Sequence, residues 1–410
     1  MVCQKGSQED HKIFPIMFQK NGDMIKADGT TLGADDGFGV AALLALMSDT
    51  TIKHGPLELL FTTGEESGFI GATAFDFSQI KSRKIYNIDS EEEGILTVGS
   101  AGGVRMEIKM PFDYYVQAGA FDRYLISVSG LQGGHSGVDI NRGRENAIRV
   151  LAKVLAKISH YYLESLNGGS AINTIPRSAE ATVCTRDKAF ITNVQNIINQ
   201  LSFSEKPTIV VEKIQLKNNG KFLVMNQKDT KKMLALIKCL PNGVIKMEDG
   251  STSVRTSNNV AIINQSIRLD ISNQIDSMDG NPGLLSIKCL LRSSSNRDID
   301  SVLTVIKNST FNAAENSILN IADRYPPWEP RFDSPLARKT IDTYQELFNK
   351  KMKIQTIHAG LECAVIAQKI PDAQVVSFGP TITGAHTPNE TVEISSVNNY
   401  WKLLVALLNK

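Results

Sequence analysis

Two short apolar runs, each stopping at a knot of acidic residues, constrain this chain more than any other feature. Leu57 to Thr63 reads as a buried strand and runs into Gly64-Glu65-Glu66-Ser67-Gly68. Ile85 to Ile88 reads as a second strand and runs into Asp89-Ser90-Glu91-Glu92-Glu93. A helical pattern over Gly37 to Met47 precedes both, opened by Gly33-Ala34-Asp35-Asp36-Gly37. Strands alternating with helices predict an α/β layer, and loops at the carboxyl ends of strands are where such sheets place their sites.

Beyond residue 103 the texture changes. Tyr124 to Ser129 and Ala179 to Thr185 read as strands on either side of a helix over Arg144 to Ser159. A strand over Leu284 to Leu291 followed by a helix over Asp298 to Asn308 repeats the theme. The pattern predicts an inserted α+β domain over 104–326, with a weak suggestion of two related halves. Tyr325-Pro326-Pro327-Trp328 punctuates its end. A helix over Pro335 to Phe348, a strand over Gln374 to Phe378 and a helix over Val397 to Leu408 then return the chain to the first domain. That domain is therefore expected to be discontinuous, 1–103 with 327–410, a mixed sheet flanked by helices. At 410 residues the chain is long for one core, which favours two domains.

Three acidic clusters within a hundred residues are individually ordinary, because Asp and Glu favour loops and first helical turns. Converging, they repel one another unless a cation offsets the charge. The six histidines divide in a way that fits a cation site. His11, His54 and His160 sit in polar or turn-like surroundings and read as surface residues. His135, His358 and His386 lie among glycines or small residues, where backbone can approach a ligand closely. Carboxylates with imidazole suit Zn, Mn or Co, and a glutamate beside such a centre can act as general base. On the residues alone this supports metal-assisted amide hydrolysis.

Longer strings narrow the reading. Lys26-Ala27-Asp28-Gly29-Thr30-Thr31-Leu32-Gly33-Ala34-Asp35-Asp36-Gly37 resembles the bridging-aspartate segment of the two-metal peptidases that include peptidase T and carboxypeptidase G. Asn87 to Gly94, Gly130-Leu131-Gln132-Gly133-Gly134-His135-Ser136-Gly137, Ile357 to Cys363 and Gly379 to His386 resemble the aminoacyl-histidine dipeptidase branch of that family. The resemblance implies a discontinuous zinc-peptidase catalytic domain with an inserted α+β lid. It implies two Zn, with Mn or Co as alternatives. Asp35 would bridge, Glu66 and His386 would complete one metal site, Asp89 would serve the other, and Glu65 would be the base. It further assigns the oxyanion to His135, the substrate's carboxylate end and scissile region to Asn173 and Arg292, and a substrate contact to Glu362. In that family a His-x-Asp pair precedes the segment corresponding to Met1-Val2-Cys3-Gln4-Lys5. No such pair occurs in this sequence. One metal site is accordingly expected to be incomplete here, through either a longer natural chain or a genuine shortening.

The expected activity is hydrolysis of dipeptides, Xaa-His among them. An N-acyl amino acid deacylase and a non-catalytic peptide-binding remnant remain open as alternatives. A homodimer is compatible with the resemblance. With 44 Lys and Arg against 43 Asp and Glu, the chain has no electrostatic footprint for nucleic acid or an anionic membrane. No apolar run approaches the roughly 20 residues needed to span a bilayer. Met1 to Pro15 lacks the apolar core of a secretory signal. Five scattered cysteines fit a reducing, cytoplasmic setting.

Overall fold

The computed structural model describes residues 16–66, 68–215, 221–248, 253–267 and 281–409. Among the sequence expectations, His11 lies outside them. The chain divides into two compact units, one of Met1–Ala101 with Pro326–Lys410 and one of Gly102–Tyr325.

The first unit is built on a four-stranded sheet in the order Lys353–Ile357, Ile95–Ser100, Gln374–Ser377, Lys84–Asn87. Two of its pairings are parallel and the central one is antiparallel. Ile95–Ser100 is buried at every position, as a strand covered on both faces requires. Helices Pro335–Phe348 and Ile394–Asn409 cover one face, placing Leu336, Tyr344, Leu403 and Leu404 in one cluster with Leu96, Val376 and Phe378, and helix Glu362–Lys369 also packs on the strand. The first of these helices has boundaries its sequence dictates. Ser334 accepts a hydrogen bond from the Ala337 N–H at 3.1 Å, Pro335 occupies the opening turn, and Asn349 closes it in the left-handed region. A second sheet, fully antiparallel, runs in the order Phe18–Asn21, Met24–Ala27, Thr391–Glu393, Ile382–Thr383.

One expected strand does not form. Residues 57–63 join no ladder among the described residues, and Leu57, Leu59 and Leu60 are only half buried. An apolar extended segment becomes a strand only by pairing, and no neighbour lies beside it in these sheets. Instead it lines a groove of about 1200 Å³ together with Leu43, Ile85, Tyr86 and Leu404.

The second unit contains two βαββαβ units, one nested in the other. The inner one runs Asp122–Ser129, Ala147–Leu155, Tyr161–Gly168, Ala179–Thr185, Phe190–Gln200, Thr208–Ile214. The outer one begins at Gly102–Ala118, is interrupted by the inner one, and resumes with Gln227–Cys239, Val254–Ile267, Asn281–Ser293, Asn296–Ala313, Ile318–Tyr325. In each, the four strands lie in the order fourth, first, third, second, with antiparallel neighbours throughout. Lys221–Met225 joins them by pairing with strands of both. Helix Ala147–Leu155 is buried on most sides, and Ile148, Leu151 and Leu155 anchor the shared core with Ile126, Leu163 and Ile287.

Candidate metal centre

The site in the first unit begins with a bend at the start of a helix. Over Ala34–Ser48 the first turn is irregular: Asp35 and Asp36 hold non-helical angles, and the peptide between them is cis. Asp36 accepts the Gly39 N–H at 3.0 Å, a bond that caps the regular helix. A Cβ on Gly39 would overlap that carboxylate, so the close approach depends on glycine. The Asp35 side chain is thereby left outside the helical register.

Asp35 meets His386 and Glu66. His386 Nε2 lies 3.0 Å from Asp35 Oδ2 and 2.5 Å from Glu66 Oε1. One ligand atom from each of the three lies within 4.8 Å of the others. Asp89 follows strand Lys84–Asn87, and beside burial the Asp35 charge is among the causes that raise its carboxyl. Glu65, Asp36, Asp89 and Glu362 line the groove described above. Glu362 is buried, with Oε2 accepting the Thr62 hydroxyl at 2.8 Å and Oε1 without a partner among the described residues.

The electrostatics show what this arrangement lacks. Burial, followed by repulsion from Glu66, Glu362 and Asp35, pushes the Glu65 carboxyl up to about 7. Burial, joined by repulsion from Asp35, Glu362 and Glu65, raises Asp36 to about 7 against the opposing Gly39 hydrogen bond. Asp89 is raised by burial and then by Asp36 and Asp35. Burial also raises Glu91 and Glu362. His386 is disfavoured as a cation by burial, yet Glu66 and Asp35 outweigh this and raise it. One imidazole cannot neutralise this many carboxylates. A divalent cation at Asp35, Glu66 and His386 would, and hard oxygen with imidazole nitrogen is an appropriate donor set for one. The residues present fit a metal.

The sequence-predicted residues therefore fall into two groups. Asp35, Glu65, Glu66, Asp89, Glu362 and His386 lie in the first unit, and His135, Asn173 and Arg292 lie in the second. In the latter, His135 sits in a two-residue ladder, opposite Thr174. Its Nδ1 accepts the Gly137 and Val138 N–H groups at 3.2 and 3.3 Å, which puts the ring proton on Nε2. Asn173 is exposed next to that ladder, and its carbonyl accepts the Ser136 N–H. Arg292 is 5% exposed, donates to the Tyr325 hydroxyl at 3.0 Å, and has an Nε without a partner among the described residues.

Glu390 is the residue that the sequence reading passes over. It is 1% exposed and contacts Gly33 and Asp35. Its position four residues after His386 was the available signal.

Known proteins extend the comparison. Residues 7–410 match the model for peptidase family M20/M25/M40. A cytosol non-specific dipeptidase of Escherichia coli K12 is 35% identical over 423 aligned residues, covering 100% of this chain and 83% of that one. The crystal structure of an aminoacylhistidine dipeptidase from Vibrio alginolyticus superposes with a TM-score of 0.81 at 32% identity, covering 99% of this chain and 81% of that one. A Staphylococcus aureus tripeptidase shares the fold at a TM-score of 0.53 and 15% identity, covering 96% of this chain and 76% of that one. The acidic loops, the histidine they converge on and the match along nearly the whole sequence lead to one assignment: this chain belongs to peptidase family M20/M25/M40.

Proposed function

We propose that this peptidase hydrolyses dipeptides, Xaa-His among them, at a centre where Asp35, Glu66 and His386 hold one divalent cation and Asp35 with Asp89 serves a second. The observation that carries the reading is the meeting of Asp35, Glu66 and His386, brought from three distant segments to within 4.8 Å. When bound, the cation supplies Lewis-acid polarisation of the peptide carbonyl and makes a nearby water easier to deprotonate.

The chain's own residues then account for proton movement and positioning. Glu65 lines the groove next to Glu66, and its carboxylate can take a proton from water and return it to the departing amine nitrogen. His135 donates through Nε2, the geometry suited to a developing oxyanion. Among the described residues Arg292, buried, donates to the Tyr325 hydroxyl and its Nε has no partner, and a substrate carboxylate would satisfy it. Asn173 and the unpartnered oxygen of Glu362 are proposed as further substrate contacts. Zn, Mn and Co all suit the donor set. A cytoplasmic setting accompanies the reading: Cys184, Cys239, Cys289 and Cys363 are free thiols, and no described helix is long and apolar enough to cross a membrane.

The test is hydrolysis of Gly-His and β-Ala-His by the purified chain with added Zn or Mn, against a chelator control and a panel of N-acyl amino acids. Chelator-sensitive cleavage of the dipeptides is expected. Cleavage of the N-acyl amino acids alone would replace the dipeptidase reading with a deacylase.

A further inference from the structure

The two segments that carry Asp35 and His386 are 351 residues apart in sequence, and a buried side chain joins them. Glu390 Oε2 accepts the Gly33 N–H at 2.8 Å, and Glu390 Oε1 accepts the Asp35 N–H at 3.1 Å. Both oxygens are thus committed to the backbone of the aspartate loop. The same residue is tied to the histidine loop by its own backbone, since the Glu390 N–H donates to the Thr387 carbonyl and the Thr387 N–H donates to the Gly384 carbonyl. Between them His386 stands at φ 61°, a left-handed conformation that a residue with a side chain adopts only when its surroundings hold it there. Gly33 is also left-handed, at φ 73°, which turns its N–H toward the carboxylate beside that of Asp35.

We propose that Glu390 is a positioning residue that sets the spacing between Asp35 and His386 before any cation arrives, and so determines the affinity of the centre. The inference rests on the reading that Asp35 and His386 hold a metal. A carboxylate with 1% exposure that accepts two backbone N–H groups makes strong, charge-assisted bonds and has no freedom to rearrange. Ligand atoms fixed in this way spare the cation the cost of ordering two loops. Outer residues that orient metal ligands typically alter affinity by roughly ten- to a hundredfold when changed.

Glu390→Gln separates this role from simple packing. The amide keeps one acceptor oxygen but turns an NH2 toward the second N–H, so one of the two bonds is lost with little change in volume. Zn or Mn is titrated calorimetrically into metal-free wild type and variant, with thermal melts of both as the folding control. The variant is expected to melt cooperatively and to bind the metal roughly ten- to a hundredfold more weakly. Equal affinity with a lowered melting temperature would leave Glu390 a structural residue only and overturn the proposal. Absence of binding by the wild type would remove the metal reading itself, a distinguishable failure. Should the variant not fold, amide exchange in the metal-free wild type decides. Protection of the Gly33 and Asp35 N–H groups before metal is added is the expected result, and protection that develops only after metal addition would refute the preset spacing.

Discussion

Carboxylates serve opposite ends in the two units. In the second unit Arg255 donates to Asp298 at 2.5 Å and to Glu248 at 3.2 Å, and Lys246 stands 3.6 Å from Asp298. Against the opposing effect of burial, the Arg255 hydrogen bond and charge, with help from Lys246, hold the Asp298 carboxyl below its ordinary value. In the first unit Asp36, Glu65 and Asp89 are all raised, with one imidazole nearby. Both regions are acidic and partly buried. The difference is that one contains its own cations and the other is arranged around the place for one. Perturbed carboxylates alone do not mark a functional site, since ion-pair networks perturb them too, and the direction of the shift is what separates these two.

The largest effects come from breaking the acidic side of the comparison. Asp35→Asn leaves the shape of the cluster but removes the charge of Asp35. Metal binding measured by calorimetry is expected to be lost, and dipeptide hydrolysis with it. Persistent tight binding would show that Asp35 is not a ligand. Glu65→Gln should act differently, retaining the metal while kcat falls by roughly 10²–10⁴-fold, the span typical of a lost general base. A kcat within a factor of two of wild type would take the proton transfer away from Glu65.

Next in size is a pH dependence with opposite slopes. A carboxyl whose folded pKa is raised gives stability that is fully present below its unfolded value and is lost as pH rises through the folded one. For Asp36 and Glu65 that window runs from their ordinary values of 3.8 and 4.5 up to about 7. The metal-free protein should therefore melt at progressively lower temperature as pH rises across it. Asp298, whose carboxyl is lowered, contributes stability above its ordinary value of 3.8 that is lost as pH falls further. Saturating Zn or Mn should flatten the first slope and leave the second untouched. A melting temperature that rises between pH 4.5 and 7 without metal would contradict the account of the cluster.

How much of this was legible in the sequence depends on whether local rules suffice. Pro335–Phe348 could be placed to the residue because Ser334, Pro335 and Asn349 act through their immediate neighbours. Ala179–Thr185 was equally readable, as a β-rich run that pairs on both sides. Residues 57–63 carry the same apolar signal but form no ladder among the described residues, because pairing is a property of neighbours and not of the segment. The α/β class was readable from the alternation, and the acids converge because the strand ends and helix starts that carry them do. Glu390 was invisible for the converse reason. Its partners, the Gly33 and Asp35 N–H groups, are more than 350 residues away, and a backbone N–H leaves no trace in composition. Asp36 reads in the sequence as one of an acidic pair, and only the structure shows its carboxylate capping the helix at Gly39.

The smallest expected effect sharpens the comparison from the other side. Arg255→Met removes the guanidinium and leaves Glu248 and Asp298 as an acidic pair with Lys246, a partial imitation of the cluster in the first unit. The Arg255 side chain is 26% exposed and Asp298 19%, so solvent screens part of the loss, and about 1 kcal/mol of stability is expected to go. Ser294 still donates to Glu248, which limits how far the carboxylates must rearrange. If acidity alone made a metal site, the variant would acquire a new affinity for Zn or Mn. It should not, because among the described residues no histidine or third carboxylate joins the pair. Calorimetry should find unchanged metal stoichiometry and affinity beside a slightly lower melting temperature. A new binding event would show that repulsion between two carboxylates is sufficient, and that the imidazole of His386 contributes less to the centre than its geometry implies.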